Sequence, residues 1–310
     1  MHIHTAQNRF FYRIMCAALL LTTSLTVASE TRYKPFILAQ DNMPGDSTQI
    51  IKSVRAKLER NGFQLIGQYS PYQGSTILII TNDALRQHAT QSAFGSFGAI
   101  LRVTLTKADH GTQLAYTNPI YMAHAYQMKT DLSDISKKIT VALGQQREYG
   151  SAQGLTKAQL RDYQYKWLMP YFYDRHELAS YKDHQTAVAA VEENLNKKVG
   201  GVAKVYRVDI PDKEETIIGV HMTGPADNEC SGDRYLMDKI DFKKIKSTGH
   251  LPYEVVISKG KVYSLYAEFR IAINFPDLSM MGSNSFASIM CAPDAIESAL
   301  RAAAGGKNNL

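Results

Sequence analysis

The chain has 310 residues, so each half is long enough to bury a core of its own. Its formal net charge of +6 is mild, and the sequence contains no polybasic run and no stripe of arginines. These features give little support to nucleic-acid binding and favour a solvated surface of mixed charge.

Residues 1–29 are typical of a secretory signal. Arg9 and Arg13 form a positive segment, residues 14–27 are mostly apolar, and Val27-Ala28-Ser29 suits cleavage. Removal of this segment lowers the net charge from +6 to +4, because it carries two arginines and no acidic residue. We expect an exported protein without stable membrane insertion after cleavage, since no later stretch approaches about 18 apolar residues. A retained N-terminal anchor is the alternative.

Residues 30–148 are predicted to form a first α+β repeat. A helix is expected from Ser47 or Thr48 to about residue 61, with Val54 and Leu58 on its apolar face. The pattern then predicts strands at 63–69 and 76–81, a helix at 82–97, a hairpin at 100–106 and 112–117, and a helix at 131–143.

Residues 149–183 are predicted to form an aromatic-rich helical connector. A helix is expected from Thr156 to Trp167, and the segment also holds Phe172 and six tyrosines, among them Tyr171. Amphipathic aromatic side chains at this density either pack the seam between the repeats or line a pocket there.

Residues 184–304 return to the element order of the first repeat. The predicted elements are a helix at 186–197, strands at 202–209 and 216–222, a hairpin at 253–258 and 261–270, and a helix from Pro293. Val188, Val191 and Leu195 match the apolar positions of the first helix. We therefore predict an α+β fold of two tandem two-layer α/β-sandwich repeats with mainly antiparallel sheets, packed as a pseudo-dimer and followed by a frayed tail at 305–310.

The mature chain keeps two cysteines, Cys230 and Cys291. In an oxidising compartment they can pair, or they can remain isolated thiols with Cys291 buried beside the last helix. The absence of a CxxC motif disfavours a thiol–disulfide oxidoreductase, and the absence of CxxCH excludes ordinary covalent haem attachment.

Several segments resemble the bacterial domain of unknown function 302. They are Asn61-Gly62-Phe63, the strand at residues 77–80, and Thr117-Asn118-Pro119. Residues 144–155, 169–172, 250–254 and 269–280 resemble exported two-domain members of that family from Gram-negative bacteria. The resemblance covers nearly the whole mature chain and departs most at residues 227–233. It implies a fused pair of small two-layer α+β units of a kind that dimerises, located in the periplasm, and it implies no activity.

The segment from His250 to Glu254 begins the second predicted hairpin. On a regular strand these two side chains project to one face, where they can act in acid–base chemistry or hold a metal. The alternative is structural: His250 bonds the loop, and Glu254 pairs with a base such as Arg270.

Polar residues also follow the hairpin of each repeat. Arg270, Asn274 and Asp277 stand among apolar residues after the second hairpin, and Asn118 and Tyr121 follow the first. Because buried polar groups need partners, these residues either organise the strand exits or face a ligand where the two exits converge.

Methionine and histidine suggest a copper site. Met122, His124 and Met128 lie close together in sequence, and His221 ends the matching strand of the second repeat. Thioether and imidazole groups suit copper, whereas methionine is also a common filler of core gaps. The chain lacks G-x-S-x-G, Walker and HExxH motifs.

Together these patterns favour a periplasmic, non-catalytic module that binds a small molecule or a periplasmic protein. The sequence leaves open whether the protein forms a homodimer, and it identifies no cofactor. The candidate ligand-binding residues are Trp167, Tyr171, Phe172, His250, Tyr253, Glu254, Arg270, Asn274, Asp277, Asn118 and Tyr121. The candidate metal ligands are Met122, His124, Met128 and His221. The alternatives are copper or haem handling, and an unrecognised enzyme that uses His250 and Glu254.

Overall fold

A computed structural model of the chain describes residues 30–109 and 111–307. Over these ranges the chain has the predicted α+β fold, in which helices accompany mainly antiparallel sheets. The predicted signal at residues 1–29 lies outside the described residues. In the part that is described, no helix is long and apolar enough to cross a membrane.

The first large sheet has six strands. In chain order the elements are β1 (Arg32–Tyr33), β2 (Phe36–Met43), α1 (Ser47–Arg60), β3 (Gln64–Tyr69), β4 (Ser75–Thr81), α2 (Asp83–Thr90), β5 (Leu101–Ala108), β6 (Gly111–Thr117), α3 (Pro119–Ala125), α4 (Ser133–Leu143) and β7 (Arg147–Tyr149). The strands lie in the order β3-β4-β5-β6-β2-β7, with antiparallel neighbours. The apolar run at residues 77–80 is fully buried in β4, as expected for a central strand.

The second large sheet has five strands. The remaining elements are β8 (Leu155–Thr156), α5 (Lys157–Arg161), β9 (Arg175–Ser180), α6 (His184–Asn196), β10 (Val202–Asp209), β11 (Glu215–Met222), α7 (Asp233–Ile240), β12 (Tyr253–Ser258), β13 (Lys261–Leu265), α8 (Ala267–Asn274) and α9 (Ala292–Ala303). The order is β10-β11-β12-β13-β9, again antiparallel, and β1 pairs with β8 in a small separate sheet.

The two large sheets share one plan. The series β2-α1-β3-β4-α2-β5-β6-α3-α4 matches β9-α6-β10-β11-α7-β12-β13-α8-α9, and matching strands take the same lateral order. In each large sheet, the pairing between the edge strand and its neighbour contains a bulge. The bulge lies just before Gly67 in β3 and just before Tyr206 in β10. Following the ladders from these bulges makes Arg102 and Glu254 equivalent positions. The duplication itself and the pseudo-dimer packing stay predictions.

Edge strands β3 and β10 lie against each other. A Cβ added at Gly67 would be 2.8 Å from the Val205 carbonyl oxygen and 2.9 Å from the Tyr206 Cβ, so this approach requires glycine. The Tyr206 ring in turn covers Gly219 on β11, where an added Cβ would overlap the ring. Tyr206 therefore packs against both glycines, with its Cβ beside Gly67 and its ring over Gly219.

Two short 3-10 turns cross between the sheets. The turn Gly95–Gly98 contacts β11 and β12, and the turn Thr248–His250 contacts β4, β5 and β6. The Ser96 backbone N–H donates to Glu215 Oε1 at 3.0 Å. The Thr248 hydroxyl is hydrogen-bonded to the Thr106 and Tyr72 hydroxyls at 2.8 and 3.0 Å. Each half thus contributes buried polar contacts to the sheet of the other.

Some local predictions were wrong. Helix α1 is capped by Asp46, which accepts from the Gln49 N–H at 3.1 Å, rather than by Ser47 or Thr48. The strand predicted at 261–270 ends at Leu265, because the chain turns into α8, whose residues are almost all buried. Of the predicted frayed tail, Gly305 and Gly306 donate their N–H groups to α9 carbonyls at 3.0 and 2.9 Å, and residues 308–310 lie outside the described residues.

Cys230 and Cys291 form a disulfide, with their Cα atoms 5.9 Å apart. The bond ties the 3-10 turn Glu229–Ser231 to the residue that precedes α9. Cys291 is exposed, which differs from the buried thiol of the alternative interpretation. Of the two states that the sequence left open, the structure has the paired one.

Candidate functional site

A buried ion group of Arg102, Glu254 and Arg270 lies where the two large sheets meet. Arg270 Nε donates to Glu254 Oε2 at 3.2 Å, and Arg102 pairs with Oε1 of the same carboxylate. Each of these side chains is at most 2% exposed. Burial, followed by the positive charge of Arg270, lowers the pKa of Arg102. Sequence reasoning missed Arg102, although an arginine inside the apolar strand at residues 100–105 was the available signal.

His250 adjoins this group and is closed to solvent. Its Nε2 is hydrogen-bonded to the Tyr253 hydroxyl at 3.1 Å, and its carbonyl accepts from Arg270 at 2.7 Å. Burial, followed by the charges of Arg270 and Arg102, lowers the pKa of His250 well below its usual value. The imidazole is therefore neutral over the physiological range.

Five candidate residues thus gather in one closed cluster. They are His250, Tyr253, Glu254, Arg270 and Asn274, none of which is more than 3% exposed. The contacts match the structural alternative, in which Glu254 pairs with Arg270. A substrate would have to displace the core to reach His250, because every residue of the cluster is closed to solvent.

Asn118 and Tyr121 also support the fold. Asn118 caps α3: its Oδ1 accepts from the Ile120 N–H at 3.2 Å, and its Nδ2 donates to the Lys34 carbonyl at 2.9 Å. The Tyr121 hydroxyl donates to the Ile273 carbonyl at 2.8 Å, which joins α3 to α8. The segments after the two hairpins therefore meet through buried structural contacts.

Three candidate copper ligands lie in α3 or just after it. Met122, His124 and Met128 are all buried, and the Met128 thioether packs against Gly98, where it occupies the space of an absent side chain. The His124 ring packs against Tyr33 at 5.7 Å between centroids. Burial lowers the pKa of His124. These methionines have the surroundings of core-filling residues.

The fourth candidate, His221, has different neighbours. Its ring lies 5.4 Å from the Tyr69 ring, and its Nε2 lies 3.8 Å from the buried Asp233 carboxylate. Burial lowers the pKa of His221 and raises that of Asp233 well above its usual value. Among the described residues, no group of three or more His, Cys, Asp or Glu side chains is placed to hold a metal ion.

An open groove of about 820 Å³, called here the connector groove, lies between the connector and the segment after α8. It is lined by Arg32 and by residues 151–155, 159, 162–166 and 276–280. The predicted helix to Trp167 is wrong here, since α5 ends at Arg161. The chain leaves the helix because Tyr163 and Tyr165 reach across the groove wall to carbonyls of residues 272 and 278.

Asp277 holds the two sides of the connector groove together. Its Oδ1 accepts from the Ser151 hydroxyl at 3.1 Å, and its Oδ2 accepts from the Ala152 N–H at 2.5 Å. On the same side, the Arg32 guanidinium donates to the Gly154 carbonyl at 2.9 Å. The turn at 151–154 is thereby fixed against both β1 and the segment after α8, so the groove is preformed.

The connector groove carries balanced charge. Arg32 and Lys166 are positive, and Asp162 and Asp277 are negative. Its uncharged polar groups include the side-chain amides of Gln153, Gln159 and Gln164. Amides and carboxylates can exchange several hydrogen bonds with one hydroxyl- or amide-rich molecule.

A second open groove, called here the tyrosine groove, has a volume of about 640 Å³. It is lined by residues 168–171 and 173–175, by Tyr266 and Glu268, and by Gln164, which also lines the connector groove. The rings of Tyr171 and Tyr173 are stacked, with centroids 4.9 Å apart and planes 11° apart. Tyr173 is 52% exposed, so this pair presents an aromatic surface to solvent.

The connector aromatics divide between the two roles that the sequence left open. Phe172 is buried and packs against the rings of Tyr126 and Phe269 at 5.7 and 6.0 Å, so it belongs to the seam. Tyr171 lines the tyrosine groove. Trp167 does neither: it is 84% exposed and stands in the chain between a residue of each groove.

No family model matches the chain, and neither the curated proteins nor the solved structures contain a match. The resemblance to the domain of unknown function 302 stays a prediction.

Proposed function

We propose that the protein is an exported, non-catalytic binding module and that the connector groove holds a polar ligand. The observation that carries this proposal is a preformed groove of about 820 Å³, fixed by Asp277 and lined by balanced charges and side-chain amides. Its volume falls within the range of about 300–1,000 Å³ that is usual for ligand sites. Export through residues 1–29 is part of the proposal.

The groove lining also supports one ligand type over another. Haem and other large apolar ligands need mostly hydrophobic walls, whereas glutamine, serine and aspartate side chains are prominent here. The enzyme alternative has less support, because His250 and Glu254 lie in the closed cluster. An open polar groove is better suited to binding a ligand than to catalysing its reaction.

A matched pair of variants tests this proposal. Ala152→Phe places a ring inside the connector groove, whereas Ala158→Phe adds the same ring to an exposed position of α5 that does not line it. Native mass spectrometry of protein from the periplasmic fraction should find an extra organic mass on the wild type and on Ala158→Phe. The mass should be absent from Ala152→Phe.

A panel of sugars, amino acids and short peptides provides the second readout. Ligands of the groove should raise the melting temperature of the wild type and of Ala158→Phe, but not of Ala152→Phe. Equal binding by both variants would place the ligand elsewhere. A protein that retains no mass and responds to no polar compound would contradict the proposed function.

A further inference from the structure

We propose that the connector groove and the tyrosine groove form one continuous surface for a linear, uncharged oligosaccharide. This inference rests on the proposed function and specifies its ligand class. It is carried by three features: a shared polar residue, an exposed aromatic tip, and charged groups that are either engaged by the protein or balanced within the connector groove.

Gln164 makes the two grooves continuous. It lines both of them, and its Nε2 donates to the Met169 carbonyl at 2.8 Å, which fixes the amide between them. Lys166 lines the first groove and Leu168 lines the second. A ligand longer than one groove can therefore pass along a surface that is preformed throughout.

The tip between the grooves is held in an exposed and unfavourable conformation. Trp167 and Leu168 are 84% and 77% exposed, and Leu168 has a left-handed φ of +69°. A bulky residue rarely adopts this conformation, and exposing a tryptophan forgoes the stability that its burial would bring. Backbone strain of this kind occurs at ligand sites, which supports a binding role for the exposed tip.

Exposed aromatic faces suit sugars. The π face of Trp167 or of the stacked Tyr171 and Tyr173 carries partial negative charge, and the C–H groups on one face of a pyranose ring carry partial positive charge. The exposed tip and the tyrosine pair thus offer stacking platforms, while the glutamine amides that line the connector groove offer donors and acceptors for hydroxyl groups. The C–H face of a sugar can therefore stack on the aromatic rings, and its hydroxyl groups can hydrogen-bond to the glutamine amides.

The charged groups favour an uncharged ligand. In the tyrosine groove, Asp174 accepts from the Tyr171 N–H at 2.9 Å, and the Arg175 guanidinium lies 3.9 Å from the centre of the Phe94 ring. Burial raises the pKa of Glu268, which disfavours its charged form. Since the connector groove is balanced in charge, neither groove supplies a strong field for a charged chain.

The only tryptophan of the chain is the natural probe for this surface. Unbranched, neutral oligomers of glucose and of N-acetylglucosamine, in series of increasing length, are titrated into the full mature protein. Trp167 fluorescence should change on binding, and affinity should rise with length until both grooves are filled. Charged oligosaccharides and short peptides of similar length should bind more weakly.

Four variants, followed by calorimetry, locate the surface. Trp167→Ala and Tyr173→Ala should each weaken the longer oligomers about fivefold to tenfold and leave the shortest nearly unchanged, because only long ligands reach both platforms. Trp167→Phe should retain most of the affinity. Val141→Ala, which removes an exposed apolar side chain of α4 outside both grooves, should change nothing.

The outcomes separate the two proposals. If Ala152→Phe abolishes binding but length and Trp167→Ala have no effect, the connector groove binds a short ligand and the continuous surface is wrong. If peptides or charged oligosaccharides bind more tightly than neutral ones, the ligand class is wrong. If no neutral oligomer of either series binds, this inference is overturned, whatever other compound occupies the groove.

Discussion

Arg102 on β5 and Glu254 on β12 hold equivalent positions in the two large sheets and pair with each other. Positions that meet across a two-fold axis contact their own equivalents, so identical residues would bring like charges together there. The same contrast occurs at Gly67 and Tyr206, which are also equivalent neighbours and combine the smallest side chain with a large ring. At the seam, the two halves differ in charge and in size where a symmetric pair would clash.

The buried ion group gives the first prediction. Glu254→Gln should lower the free energy of unfolding by about 3–5 kcal/mol, because two guanidinium groups then remain buried without a counter-ion. Arg102→Met should cost less, since Arg270 keeps its carboxylate and loses a like charge. Urea denaturation measures both changes.

An exposed ion pair provides the control for this comparison. Arg55 and Glu59 lie 2.8 Å apart on α1 with about half of each side chain exposed, so Arg55→Ala should cost less than about 1 kcal/mol. If Arg102→Met lowers the free energy of unfolding as much as Glu254→Gln does, then the Glu254 carboxylate does not balance the charges of both arginines.

Gly219 gives the second prediction. Because the Tyr206 ring covers this glycine, Gly219→Ala should displace the ring and destabilise the fold by about 1–3 kcal/mol. In a Tyr206→Ala background the same substitution meets no ring and should cost much less. The double-mutant cycle is measured by chemical denaturation. If the effects of Gly219→Ala and Tyr206→Ala are additive, the new methyl group clashes with the backbone and not with the Tyr206 ring.

Local sequence patterns predicted those helices and strands that are determined by residues close together in sequence. The apolar run at 77–80 predicted β4, and two strand patterns joined by a short turn that contains Gly111 predicted the β5–β6 hairpin. The same patterns failed between Arg161 and Trp167, where tyrosine hydroxyls bond to carbonyls of residues 272 and 278. Helical propensity is overridden there by contacts that no local window contains.

The candidate sites show the same difference between features set by local sequence and features set by contacts between distant residues. The cluster at His250, Tyr253 and Glu254 was predicted because its residues are adjacent in sequence, but its closure depends on Arg102 from the other half of the chain. The connector groove combines Arg32, a turn near residue 152 and a segment near residue 278. Among its lining residues, only Asp277 was a candidate binding residue from sequence, and Tyr163 and Tyr165 were recognised only as connector aromatics, because the spatial convergence of three distant segments leaves no local pattern.

The disulfide gives the third prediction. Cys230 and Cys291 are 61 residues apart, and closing a loop of that length is expected to stabilise the folded state by about 4 kcal/mol in the chain-entropy account. The Cys230→Ser/Cys291→Ser variant should therefore unfold at a lower urea concentration. Reductant should shift the wild type to the same midpoint and leave the variant unchanged. A wild-type midpoint that is insensitive to reductant, with both thiols shown to be free, would contradict a stabilising bond.

Asp241 gives the fourth prediction, which concerns pH. Burial raises the pKa of this carboxyl from 3.8 to about 7, and its Oδ1 accepts from the Ser247 N–H at 2.9 Å. The folded state therefore holds the proton more tightly than the unfolded state does. The contribution of Asp241 to stability is full below about pH 4 and is lost as the pH rises through 7, at about 1.4 kcal/mol per pH unit between these values.

Asp241→Asn isolates this contribution. Asparagine keeps an oxygen that accepts from Ser247 but carries no charge at any pH, so the variant should be more stable than the wild type above about pH 7. The difference in unfolding free energy between the two proteins, measured by urea denaturation from about pH 5 to pH 8, should grow in favour of the variant as the pH rises. Taking the difference cancels the titration of groups that both proteins share. A difference that stays constant over this range would mean that the buried carboxyl does not change its protonation there.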